Sequence, residues 1–337
     1  MPTAGATELA YEAIAFKATW IGAALARGPG RARVHSVFRS AINFVIEGSD
    51  SLAALTGGSG DGLPNAIALN ADPDGRDRPD FRDWPMAPGS PASFDDDFLA
   101  IGMRGAEIRV DLRLATRGTR QTLPAIPRLG PAFGAAIAEL SRKQAELECD
   151  LRIETLLGGE RAPTAMGRRL ASAARGLGEA ACRGFPEGPA RRTAEVAVTL
   201  GAEGILGLGS GLTPSGDDFL CGFLCAAGCS AEAPGKPGPD SLVALLGEAV
   251  EGGIRATGAI SASFLRCAAR GFFSRDLCGA AASIAQDDPV AGTASIRRLC
   301  GLGHSSGADT ATGFLYGLAV LTSPSHHEGL LQNADAF

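Results

Sequence analysis

The chain has 337 residues, of which 45% are hydrophobic and 20% charged, with a formal net charge of −6. That apolar content can bury a sizeable core, so the sequence reads as globular, not disordered. It holds no run of Lys and Arg able to follow a phosphate backbone, which argues against a nucleic-acid partner. Residues 1–27 lack a signal-peptide pattern and no stretch stays apolar for the roughly 18 residues of a membrane span, so a cytoplasmic protein with no membrane partner is expected.

Residues 1–30 are Ala-rich and predict a helical appendage ending at the Gly28-Pro29-Gly30 breaker. Residues 31–125 turn strand-like, most clearly where Ile108, Val110, Leu112 and Leu114 alternate with Glu107, Arg109, Asp111 and Arg113. Within that part, Asn70 to Asp97 is rich in Asp, Pro, Arg and Gly and reads as a solvated loop.

Residues 126–337 carry a helical pattern. Ile137, Leu140, Leu147 and Leu151 fall on one face of a segment ending at Gly158-Gly159. Asp288-Pro289 supplies an N-cap and an N1 proline, and Arg297 and Arg298 occupy the last turn before Gly301. Cys221, Cys225 and Cys229 recur every four residues in an apolar helix, and without a CxxC pair they read as buried thiols more than as a metal site. The fold class is therefore α+β, a β-rich N-terminal part followed by a mainly helical C-terminal part with two buried Gly-containing helices.

The densest signal runs from Gly207 to Leu220, a glycine-rich loop leading into an apolar helix. Such a loop lets backbone N–H groups approach an anion, and the helix start adds partial positive charge. The dinucleotide fingerprint fails because Leu212 stands where glycine is needed, and a P-loop fails because Asp217 stands in place of lysine. A weaker copy lies near the C-terminus: Ser215, Gly216, Asp218, Gly222, Phe223 and Leu224 align with Ser306, Gly307, Asp309, Gly313, Phe314 and Leu315. In each copy Ser and Asp stand three apart, the spacing of a capping box, so Asp218 and Asp309 are either caps or site groups. The counterpart of Asp217 is Ala308, so the repeat does not require a carboxylate there, and Asp217 becomes the preferred candidate for chemistry. Gly222 with Ala226 and Gly313 with Gly317 give each helix a small-residue face. If the two helices pack together, their N-termini converge on one site with free N–H donors.

Candidate catalytic residues are thus Asp217, Asp218 and His304. His304 precedes the second helix start and can move protons near neutral pH. Candidate binding residues are Gly209, Ser210, Gly211, Thr213, Ser215 and Gly216 from the first motif, and Ser306, Gly307 and Asp309 from the second. Thr257 and Ser261 place hydroxyls four apart, as ligand contacts or internal caps, and Arg255 is a candidate anion clamp.

These residues resemble a known family. The run Gly209 to Asp218, Val34-His35-Ser36-Val37-Phe38 with Asn43, the Thr257 to Ser261 stretch and Gly303 to Asp309 together look like the small subunit family of oxamate carbamoyltransferase, over roughly Arg33 to Leu321. The resemblance implies a subunit that works with larger partners in allantoin breakdown, converting oxalurate and phosphate into oxamate and carbamoyl phosphate. It further implies a small anionic substrate, with Asp217 binding an amide N–H or a Mg2+ ion. A rival reading is a non-catalytic assembly or metabolite-sensing subunit.

Overall fold

The computed structural model describes residues 12–25, 28–58, 62–69, 79–103, 106–159, 162–183, 189–230 and 239–322. The chain divides into two compact units, Met1–Thr119 and Arg120–Phe337.

The first unit is a closed β-barrel. Its strands are β1 (Glu12–Ile21), β2 (Gly30–Val37), β3 (Ala41–Ile46), β4 (Leu52–Gly57), β5 (Ala66–Leu69), β6 (Pro91–Phe94), β7 (Phe98–Met103), β8 (Ala106–Asp111) and β9 (Thr116–Arg117). They run in the order β5-β4-β3-β2-β6-β7-β8-β1-β9, and a further pairing of β5 with β1 closes the ring. Strand β1 makes closure possible. Its first half pairs parallel with β8 and its last residues pair antiparallel with β5, across a register shift between Ala18 and Trp20. Alternation then sorts the faces: on β2, Ala32 and Val34 are buried while Arg31, Arg33 and His35 are exposed.

The helix expected over residues 1–30 is corrected by β1. Alanine content favours a helix, but Phe16, Thr19, Trp20 and Ile21 are strand formers, and a strand flanked on both sides by partners satisfies its backbone groups across the sheet. The Trp20 indole donates to the Leu63 carbonyl at 3.0 Å. Residues 1–11 lie outside the described residues.

Part of the expected Asn70 to Asp97 loop is also corrected. Residues 70–78 lie outside the described residues, but Phe81 is fully buried, and Trp84 stacks on Phe16 with ring centroids 4.7 Å apart. Strand β6 follows, and Asp95 accepts the N–H groups of Asp97 and Phe98 to form the turn into β7. A few aromatic anchors outweigh a polar composition. Leu114, expected on the buried face, is 88% exposed, because β8 ends at Asp111 and the chain turns there.

The second unit is helical: α1 (Pro131–Glu146), α2 (Ile153–Leu156), α3 (Ala165–Cys182), α4 (Pro189–Glu203), α5 (Ser215–Cys229), α6 (Pro239–Gly253), α7 (Ala259–Ala269), α8 (Arg275–Ala285), α9 (Pro289–Leu299) and α10 (Ser306–Thr322). The α9 start agrees with its sequence signal, since Asp288 accepts the N–H groups of Val290 and Ala291. The single helix expected up to Gly158 breaks after Glu146. Buried Gln144 reaches the Leu151 carbonyl and the Ile153 N–H, both at 2.9 Å, and so fixes a turn between α1 and α2.

Helices α5 and α10 form the centre of the unit, with Phe219, Phe223, Phe314 and Leu315 all fully buried. Cys225 and Cys229 are buried with them, and burial pushes the Cys225 thiol well up. Among the described residues no helix is long and apolar enough to cross a membrane.

Candidate functional site

The two repeat copies pack directly on each other, and glycine sets the distance. A Cβ added at Gly222 would lie 1.9 Å from the Thr310 carbonyl oxygen, and one added at Gly313 would lie 1.9 Å from the Phe219 carbonyl oxygen. Phe219 and Thr310 are equivalent repeat positions, so the contact is reciprocal. Further along, a Cβ on Gly317 would come within 2.6 Å of Ala226 Cβ. Contacts therefore advance in the same direction on both helices, which makes the pair parallel and brings the two N-termini to one end.

The expectation that both helix starts offer glycine N–H groups to an anion needs correction. Gly216 N–H donates to the Leu208 carbonyl at 2.8 Å and Gly307 N–H to the Leu302 carbonyl at 3.0 Å. A side chain at either position would strike backbone, Ile205 O at 2.2 Å and Leu299 O at 1.7 Å. Both glycines let the incoming chain cross its own helix start. They are packing positions first.

The Ser–Asp pairs do not form capping boxes either. Pro214, not Ser215, occupies the N-cap of α5, without a side-chain cap bond. The side chains reach across the helix pair instead. Ser306 of α10 donates to Asp218 of α5 at 2.6 Å, and Thr213 Oγ1 lies 3.3 Å from Ser306 Oγ. In the reverse direction Ser215 of α5 faces Asp309 of α10. Both carboxylates are buried, 5% exposed at Asp218 and 0% at Asp309. Burial pushes the Asp218 carboxyl well above the usual carboxylate range, with the nearby Asp309 charge adding to the rise. Burial likewise raises Asp309 to about 7, opposed by the Ser215 and Ser305 hydroxyls, which stop short of complete hydrogen-bond geometry.

Asp217 takes a different role from the one its sequence position suggests. It is 1% exposed. One carboxylate oxygen accepts the Gly207 N–H at 2.7 Å, and the other accepts the Ser261 hydroxyl at 2.7 Å and the Thr257 hydroxyl. Thr257 and Ser261 are thus internal partners of Asp217, tying the start of the glycine-rich loop to α7. Two oxygens that already face three donors do not suit a Mg2+ ligand, so the donor set does not fit that ion at Asp217. Among the described residues no group of three or more His, Cys, Asp or Glu side chains is arranged to hold a metal.

The loop itself turns through Gly207, Gly209 and Gly211, at φ +71°, +124° and +92°, a region that strongly favours glycine. Ser210, Gly211 and Leu212 are exposed. The Ala256 carbonyl would lie 2.3 Å from a Cβ on Gly207, which holds the turn Ile254–Ala256 against the loop and leaves Arg255 exposed beside it. His304 is exposed in the turn before α10. Sequence reasoning missed Ser305 and Asp150, both within electrostatic reach of Asp309, and nothing in their local pattern marks them.

A closed N-terminal barrel and a helical unit built on an internally repeated pair of parallel glycine-rich helices define the class of protein: a two-unit α+β protein whose motif residues gather where the paired helices begin. Residues 205–318 match the family described as oxamate carbamoyltransferase subunit AllH, and residues 12–117 match the AllH family N-terminal domain. The chain belongs to the AllH family of oxamate carbamoyltransferase subunits. No solved structure matches it.

Proposed function

We propose that this chain is the subunit of an oxamate carbamoyltransferase that holds the small anionic substrates, acting with larger partner subunits in the cytoplasm in allantoin degradation. The observation that carries the reading is the 3.3 Å approach of Thr213 to Ser306, which joins the glycine-rich loop of the first repeat to the helix start of the second. One ligand can then be served by both. The exposed turn at Ser210 and Gly211 presents backbone near a helix start, and Arg255 is an exposed cation in the segment that packs on Gly207 at the start of the loop, a combination suited to phosphate or carboxylate. Because the Gly216 and Gly307 N–H groups are used internally, the anion is assigned to the loop and Arg255.

In the reaction, a phosphate oxygen attacks the ureido carbonyl of oxalurate, the bond to the oxamate nitrogen breaks, and that nitrogen takes up a proton. The protein's share is positioning and stabilisation of the charged tetrahedral intermediate. His304, exposed at the edge of the same end, is the group assigned to proton movement.

Calorimetric titration of the full chain with inorganic phosphate and with carbamoyl phosphate tests the reading. Arg255→Ala should weaken both by about tenfold or more, the loss of one charge-assisted contact. Unchanged affinities would place the anion elsewhere. A second reading, a metabolite-sensing assembly subunit, is favoured by the complete satisfaction of Asp217 within the protein. Turnover of carbamoyl phosphate and oxamate by the chain without partners would exclude it.

A further inference from the structure

Asp218 and Asp309 are equivalent in the repeat, yet their surroundings differ. Asp218 receives the Ser306 hydroxyl at 2.6 Å. Asp309 is 0% exposed, and neither of its carboxylate oxygens has a hydrogen-bond partner within the protein. A buried acceptor without a donor is costly, and native proteins rarely keep one without a use. Its surroundings are unsuited to an anion. Asp150 between α1 and α2 adds negative charge, the thiols of Cys149 and of Cys300 at the end of α9 are within electrostatic reach, and Ser215 and Ser305 bring only neutral hydroxyls. With those two hydroxyls stopping short of hydrogen-bond geometry, what this place lacks is a well-aligned donor. The Ser305 hydroxyl lies beside Asp309, in a turn that is exposed at Gly301, Gly303 and His304.

We propose that Asp309 is the specificity-determining acceptor of the paired-helix site, receiving the N–H2 group of a primary amide or ureido ligand while the ligand's anionic end lies at the glycine-rich loop. The inference rests on the shared-site reading above. It gives the unpaired Asp309 a use: it sorts ligands that carry an amide from dicarboxylates of the same shape. A carboxylate placed against Asp309 would be repelled, whereas an amide nitrogen supplies the missing donor.

The test is calorimetry on the full chain with three probes: inorganic phosphate, oxamate and oxalate. Wild type should bind phosphate, and should prefer oxamate over oxalate by at least about tenfold, the scale of one hydrogen bond to a charged group. Asp309→Asn should keep phosphate binding within about twofold while reducing or reversing the preference for oxamate, since its amide now offers a donor to oxalate. In wild type the preference should also shrink between pH 8 and pH 6 as the Asp309 carboxylate takes up its proton. This second measurement stands even if the variant fails to fold. Phosphate binding with equal affinity for oxamate and oxalate, or an unaltered preference in Asp309→Asn, overturns this inference alone. Binding of neither phosphate nor oxamate overturns the shared-site reading together with it.

Discussion

Ser306 donates its hydroxyl to Asp218 across the seam between α10 and α5 at 2.6 Å, so the serine that looks like a cap for its own helix serves its neighbour. Ser306→Ala should take this hydroxyl away from a buried carboxyl group and lower stability by about 1–3 kcal/mol. In a double-mutant cycle with Asp218→Asn, measured by urea unfolding, the two losses should be non-additive. Additive losses would mean that the pair is not coupled.

Asp217 provides a second test, because three donors converge on it. Asp217→Asn turns one acceptor oxygen into a donor facing another donor, and should cost about 2–4 kcal/mol, as when a buried hydrogen-bonded network is broken. Thr257→Val should cost less and should show coupling with Asp217→Asn. An unchanged denaturation midpoint in Asp217→Asn would instead return this residue to the chemistry that its absence from the second repeat suggests.

The glycines separate packing from propensity. Gly222→Ala and Gly313→Ala place a methyl group against backbone 1.9 Å away, so the helices must part, and each should lose about 1–3 kcal/mol or more. Gly134→Ala in α1 and Gly176→Ala in α3 meet no atom within 4 Å. These should stabilise by about 0.5–1 kcal/mol through helix propensity alone. Thermal melts of the four variants check both signs together.

The pH dependence of stability carries a signature of Asp309. Its carboxyl is raised from 3.8 to about 7 by burial. Between those values the folded state holds a proton that the unfolded state has released, so this group's contribution is fully present below pH 3.8 and is lost as pH rises through about 7. Asp309→Asn should remove that decline. Relative to wild type it should gain on the order of 2–4 kcal/mol from pH 4 to pH 8. Chemical denaturation at both pH values is the measurement, and parallel stability profiles for the two proteins would refute the assignment.

Much of the fold is written in local sequence because its causes are local. The Asp288-Pro289 start of α9 needs only a cap side chain and a fixed φ, and the apolar faces of α5 and α10 need only a helical period to announce a buried pair. The Gly207 to Leu220 run was legible as a turn into a helix, since three glycines at positive φ are a backbone requirement. Where the competing forces are non-local, sequence reading failed. Strand β1 looks helical by alanine content until its hydrogen-bond partners, about ninety residues further along in β8 and fewer than sixty away in β5, are in place.

The site follows the same division. Sequence alone determined that two Ser-Gly-x-Asp copies exist, because a repeat is a property of residue order. Which aspartate meets which serine was decided by the packing of parallel helices at glycine distance, where a partner on the neighbouring helix lies as close as one on the next turn. For that reason Asp217 became an internal anchor, Asp218 found a donor from α10, and Asp309 was left buried beside Ser215 with none complete.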